Sequence, residues 1–202
     1  MKKLTLIALL AFVGNAHAQT EKGNWIVSGT TSMGFNSNKI TNKSGDVSVD
    51  GQKSTIFNVK PAIGYFVIDN LAVGLDLGYE VKKYDEYIGI EEKMKVTATT
   101  FSVLPSATYY FKTDSKAFPY VGAGAGYALN SSKTETIAPF KTNFFQWKAK
   151  AGLAYFITPS IAVDLGFSYD QLSTKFNETQ TIRENKVIFK NFGANIGINV
   201  VL

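Results

Sequence analysis

The chain has no cysteine and a single histidine, His17. Without cysteine there can be no disulfide framework, and no thiol to carry a lipid anchor. Beyond residue 17 the chain cannot build a His- or Cys-ligated zinc site, nor a Ser–His or Cys–His nucleophilic pair. Also missing, beyond residue 18, is any run of eighteen apolar residues, so no transmembrane helix is expected. A formal charge of +5 on 202 residues, with no basic cluster, argues against nucleic acid as a partner. No Pro/Ser-rich linker and no exact internal repeat interrupts the sequence, and its length suits one domain.

What is present begins with a short export-type leader. Met1-Lys2-Lys3 is a basic stretch, Leu4 to Val13 is apolar, and Ala16-His17-Ala18 has the small-x-small pattern of a cleavage site. About ten apolar residues are too few to span a bilayer as a helix. Residues 1–18 are therefore expected to be a cleaved signal peptide, with a barrel domain over 19–202 starting at Gln19. Loss of Lys2 and Lys3 would bring the charge from +5 to +3, and His17 would go with them.

The rest of the chain alternates apolar and polar residues with period two, the signature of strands. Eight such segments are predicted, at 24–35, 53–67, 71–84, 95–111, 117–130, 142–157, 160–172 and 187–202. Their connections alternate in length. Ile68-Asp69-Asn70, Lys112 to Lys116 and Thr158-Pro159 read as tight turns. The segments 36–52, 85–94, 131–141 and 173–186 read as longer polar loops.

The two faces of each strand differ in a consistent way. In the third, Leu71, Val73, Leu75, Leu77, Tyr79 and Val81 oppose Ala72, Gly74, Asp76, Gly78, Glu80 and Lys82. In the seventh, Ile161, Val163, Leu165, Phe167 and Tyr169 oppose Ala162, Asp164, Gly166, Ser168 and Asp170. An eight-stranded barrel is only wide enough inside for side chains or one small ligand. Its interior suits the small and polar faces, and the bulky apolar faces then point to lipid. The expected fold is all-β: an eight-stranded antiparallel up-and-down transmembrane β-barrel. A soluble lipocalin-like ligand-binding barrel, with the faces reversed, is the weakest alternative.

Aromatic residues on the apolar faces fall in pairs near strand ends: Trp25 and Phe35, Phe57 and Tyr65, Phe101 and Tyr109, Phe145 and Tyr155. Spacings of eight to ten residues in tilted strands project to roughly 20–25 Å, near the height of a barrel's apolar band. These eight are the expected aromatic girdles. On the inward faces, Lys60, Lys82, Lys148 and Lys150 balance Asp76, Glu80, Asp164 and Asp170. Buried charges persist by pairing, so a structural ion network plugging the lumen is expected rather than an acid–base site. Gly122, Gly124 and Gly126 lack the strand–turn–helix context of a phosphate loop, and their expected role is lumen packing. No catalytic, cofactor-binding or metal-ligating residue emerges.

With this strand count, turn–loop asymmetry and segments such as Tyr120-Val121-Gly122-Ala123-Gly124-Ala125-Gly126-Tyr127, the chain resembles the small outer-membrane β-barrel families. That group contains OmpX, the OmpA membrane domain and OmpW-like barrels. The resemblance implies turns in the periplasm, loops outside, and residence in the outer membrane of a Gram-negative-type bacterium. The final strand alternates Phe192, Ala194, Ile196, Ile198, Val200 and Leu202 against Asn191, Gly193, Asn195, Gly197 and Asn199. It resembles the signal read by the barrel-assembly machinery, with Leu202 where an aromatic residue usually closes it. Enzymes resembling this size class depend on a histidine, so no enzyme is expected. The expected role is structural or surface-interacting, in adhesion or envelope integrity, with outer-membrane lipid and an extracellular ligand or host surface as partners. A monomer is expected. The alternative is a narrow channel or lateral transporter for small solutes or hydrophobic molecules.

Overall fold

The computed structural model describes residues 20–32, 54–88, 92–134, 139–176 and 185–202. Eight strands follow one another: β1 (Trp25–Ser32), β2 (Ser54–Ile68), β3 (Leu71–Ile88), β4 (Glu92–Tyr110), β5 (Ala117–Thr134), β6 (Phe140–Phe156), β7 (Ile161–Phe176) and β8 (Asn185–Val201). Each pairs antiparallel with its sequence neighbours, and β8 returns to β1 to close the barrel. Mutual hydrogen bonds between Trp25 and Leu202, at 2.9 and 2.8 Å, continue that seam to the last residue. Among the described residues the closing ladder runs from Ile26–Ser32 against Asn195–Val201, and over that height the wall has no open sheet edge, which a strand structure needs wherever water cannot satisfy its backbone.

Period-two alternation sets the two faces. Along β6, Phe145, Trp147, Leu153 and Tyr155 are exposed outward, whereas Gln146 and Lys148 are buried inside. Outward Tyr127 and Leu165 are 70% and 55% exposed, while inward Phe66 and Ala128 are 0% exposed. Of the expected girdle residues, Trp25, Tyr65, Tyr109 and Tyr155 lie outward near the turn end. Phe57, Phe101 and Phe145 lie outward toward the loop end, and Phe35 lies outside the described residues.

The strands run farther at the loop end than the polarity pattern suggests. β3 continues to Ile88 and β4 begins at Glu92, and their ladder pairs Lys83 with Thr97 through Ile88 with Glu92. The connections expected at 85–94, 131–141 and 173–186 are therefore shorter, because β5–β6 and β7–β8 also extend inward. A ladder needs only backbone partners, so it carries on after apolar alternation has stopped. The connection expected at 36–52 lies outside the described residues.

At the other end the connections are tight. Ile68 belongs to β2, not to the turn, and pairs with Leu71 after a bulge. The turn is thus Asp69-Asn70, with Asn70 at φ 69°, a left-handed conformation that Asn tolerates better than most residues. The Asn70 N–H donates to the Thr20 carbonyl at 2.7 Å, and its carbonyl accepts from Tyr110 N–H at 2.8 Å. The chain ends of the barrel lie beside these turns.

Candidate functional site in the barrel lumen

The lumen is filled in tiers. At the turn end Ile26, Phe66, Tyr110, Phe118, Tyr120 and Phe156 form one buried cluster. Ring centroids are 5.9 Å apart for Phe66–Tyr110, 5.7 Å for Tyr110–Tyr120 and 5.1 Å for Phe118–Phe156, in tilted contacts typical of packed aromatics. This corrects the expectation that small and polar side chains alone line the interior. The large rings fit because small residues oppose them. A Cβ at Gly152 would lie 2.6 Å from the Tyr120 hydroxyl oxygen, and one at Gly166 would also collide with it.

Tyr120 links the aromatic tier to the charged one. Its hydroxyl donates to Asp164 Oδ1 at 2.8 Å, and Asn199 Nδ2 donates to Asp164 Oδ2 at 3.3 Å. Among the described residues Asp164 has no salt bridge; the neutral donors Tyr120 and Asn199 hold it. Above it, Asp76 receives Lys148 Nζ at 3.2 Å and Lys150 Nζ at 3.1 Å, both on Oδ2. Ser106 Oγ donates to its other oxygen at 2.9 Å. Lys148 sits beside Asp170 in the β6–β7 register yet reaches across to β3. Gly122 gives Lys150 passage, since a Cβ there would lie 2.8 Å from its Cε.

The next tier toward the loops is looser. Lys60 Nζ lies 3.6 Å from Asp170 Oδ2, and Gln146 Nε2 donates to Asp170 Oδ1 at 3.1 Å. Gln146 Oε1 is buried without a hydrogen-bond partner. These groups line a cavity of about 110 Å³ together with Asn58, Glu80 and Ser102. Glu80 makes no ion pair within 4 Å among the described residues, and Lys82 lies over the Tyr84 ring, 5.5 Å from its centroid. The eight charged positions singled out in the sequence thus divide. Asp76, Lys148 and Lys150 form one cluster and Lys60 and Asp170 another, while Asp164, Glu80 and Lys82 stand outside both. A smaller cavity of about 40 Å³, bordered by Asp76, Lys148, Lys150 and Asp164, lies among the clustered charges.

Phe66 and Tyr110 escape the sequence pattern for a specific reason, whereas Phe118 and Tyr120 adjoin no other aromatic. Tyr65-Phe66 and Tyr109-Tyr110 are adjacent pairs, one ring facing out and one in, so neither breaks the apolar pattern. The doublets themselves are the signal that could have found them.

The outer membrane protein beta-barrel domain family model matches residues 4–199. The chain belongs to that family. It is accordingly a protein of the Gram-negative cell outer membrane. Outer membrane protein PagN of Salmonella typhimurium is 26% identical over 159 residues, 67% of this chain and 64% of PagN. The match thus spans less than two thirds of that relative's length. Among solved structures of the same fold, OprG from Pseudomonas aeruginosa is 15% identical with a TM-score of 0.57, covering 92% of this chain and 99% of OprG. E. coli outer membrane protein W is 17% identical with a TM-score of 0.52, covering 90% and 99%.

Proposed function

We propose that this family member spans the outer membrane as a closed barrel with a structural or surface-interacting role, its loops outside and its turns in the periplasm. Residues 1–18 act as the cleaved leader, and outward aromatics at the two ends sit at the two membrane interfaces. The observation that carries the reading is the double closure of the lumen. The Phe66–Tyr110–Tyr120 tier occupies the turn end, and the Asp76–Lys148–Lys150 cluster ties β3 to β6 above it. A solute passing through would have to displace packed rings and part a buried ion cluster, each at a cost of several kcal/mol. A barrel closed in this way suits bracing the envelope and presenting its loops to a ligand or host surface.

Planar-bilayer recording of the refolded protein tests the closure. The expected trace is silent, and steady porin-sized conductance would overturn it.

A lateral route for small hydrophobic molecules is the second reading, and two prolines favour it. The β2–β3 register skips Lys60-Pro61 opposite Leu77-Gly78, and the β4–β5 register skips Leu104-Pro105 opposite Ala125-Gly126. Proline cannot donate to a ladder, so the wall is weakest there. Flux of a hydrophobic dye into vesicles that falls in Pro105→Val would support this reading over the first.

A further inference from the structure

Charge on the outer wall is distributed unequally between the two ends. At the turn end the exposed charged residues among those described are Glu21, Lys22, Asp69, Lys112, Asp114 and Lys116, three of each sign. At the loop end of β3–β6, beyond Tyr79, Phe101, Tyr127 and Phe145, the exposed outward charges among the described residues are Lys83, Lys95, Lys133, Lys141 and Asp85. Four cations there meet one anion.

The register groups these lysines. Lys83 and Lys133 both pair with positions flanking β4 at Thr97, so they stand two strand spacings apart, about 10 Å. Lys95 is two residues farther along β4, opposite Asp85. Lys141 pairs with Ser131, two residues from Lys133, which places those two backbones about 8 Å apart. Lys83, Lys133 and Lys141 make no ion pair among the described residues. Unpaired like charges this close repel one another, and a polyanion outside the chain would relieve that.

We propose that Lys83, Lys95, Lys133 and Lys141 form a collar that binds the phosphate groups of the glycolipid in the outer leaflet. The inference rests on the membrane-spanning reading above. The collar is on the lipid side of the wall, directly beyond the exposed aromatic residues. A headgroup anchored by its own acyl chains would meet the lysines at that height, with its chains against the apolar face below. A lysine near an anionic lipid surface contributes about 1 kcal/mol, or about fivefold in affinity.

The test compares the refolded chain with a K83Q/K133Q/K141Q variant and a turn-end K112Q/K116Q control. Each is titrated in zwitterionic detergent with lipopolysaccharide, with phosphatase-treated lipopolysaccharide and with inorganic phosphate. Heat-dependent gel migration establishes that each has folded. The wild-type chain and the control should prefer the phosphorylated glycolipid, and the triple variant should lose on the order of a hundredfold in affinity for it. Equal binding of the dephosphorylated form, an equal loss in the turn-end control, or comparable binding of inorganic phosphate alone would overturn the collar. A chain that folds in detergent yet shows no preference defeats the collar and leaves the membrane reading standing. One that folds in plain buffer and ignores detergent defeats both.

Discussion

Asp76 on β3 and Lys148 on β6 meet across the lumen at 3.2 Å, three strands apart around the wall, and Lys150 completes the cluster at 3.1 Å. Removing the carboxylate leaves two cations facing each other in a confined interior. Asp76→Ala should destabilise the folded barrel by about 3–5 kcal/mol, read as a shift of the urea midpoint in vesicles. A triple change to Asp76→Leu, Lys148→Met and Lys150→Met should recover most of that loss, since a well-packed apolar trio replaces a buried ion cluster at little net cost. A triple variant as unstable as Asp76→Ala would show that the charges themselves are required.

Tyr120→Phe keeps the ring against Tyr110 but removes the donor to Asp164. The expected loss is about 1.5–3 kcal/mol, the range for a hydrogen bond to a charged acceptor. In the same urea assay, an unchanged midpoint would mean that Asn199 alone satisfies the carboxylate.

Leu75, Leu77 and Phe167 point outward between the two aromatic bands, paired with Pro105, Val103 and Ala151. Arginine at any of them should cost about 2–4 kcal/mol if hydrocarbon surrounds the wall, with smaller costs toward either end. Losses that do not vary with position along the strand would contradict a lipid-facing wall.

The absence of cysteine permits a clean test of orientation. Lys133→Cys, near the loop end, should react with a membrane-impermeant maleimide on intact cells. Asp114→Cys, in the turn between β4 and β5, should react only after the outer membrane is opened. Reversed labelling would invert the topology.

Strand number, order and the inward or outward sense of most side chains were legible in the sequence because a barrel wall repeats one rule. In β3 and β7 bulky apolar residues alternate with Gly, Ala or charge, so parity fixes direction. Two features escaped that rule. Phe66, Tyr110 and Phe144 each adjoin an outward aromatic, so the doublet reads as one apolar stretch and its inward ring does not stand out. The ladders beyond Tyr84 and Asn130 are held by backbone bonds that side-chain polarity does not report. Which cation meets which anion was also illegible, because Lys148 ignores its register neighbour Asp170 for Asp76 three strands away. Such pairings depend on the curvature of the closed wall.

The β3–β4 hairpin runs from the paired Tyr79 and Phe101 to the paired Ile88 and Glu92 without a break in register. At about 3.3 Å per residue and a tilt near 40°, those nine residues rise about 23 Å. A two-stranded ribbon of that length is a stiff mast, and its tip stands at a height fixed by hydrogen bonding. If the loop end faces outward, as proposed, then on a cell whose surface sugars are shorter than the mast the tip would be the first part of the protein that a neighbouring surface touches. On a cell with long sugar chains the same tip would be overgrown and silent, so that in the proposed orientation glycan length alone would switch its contacts on and off.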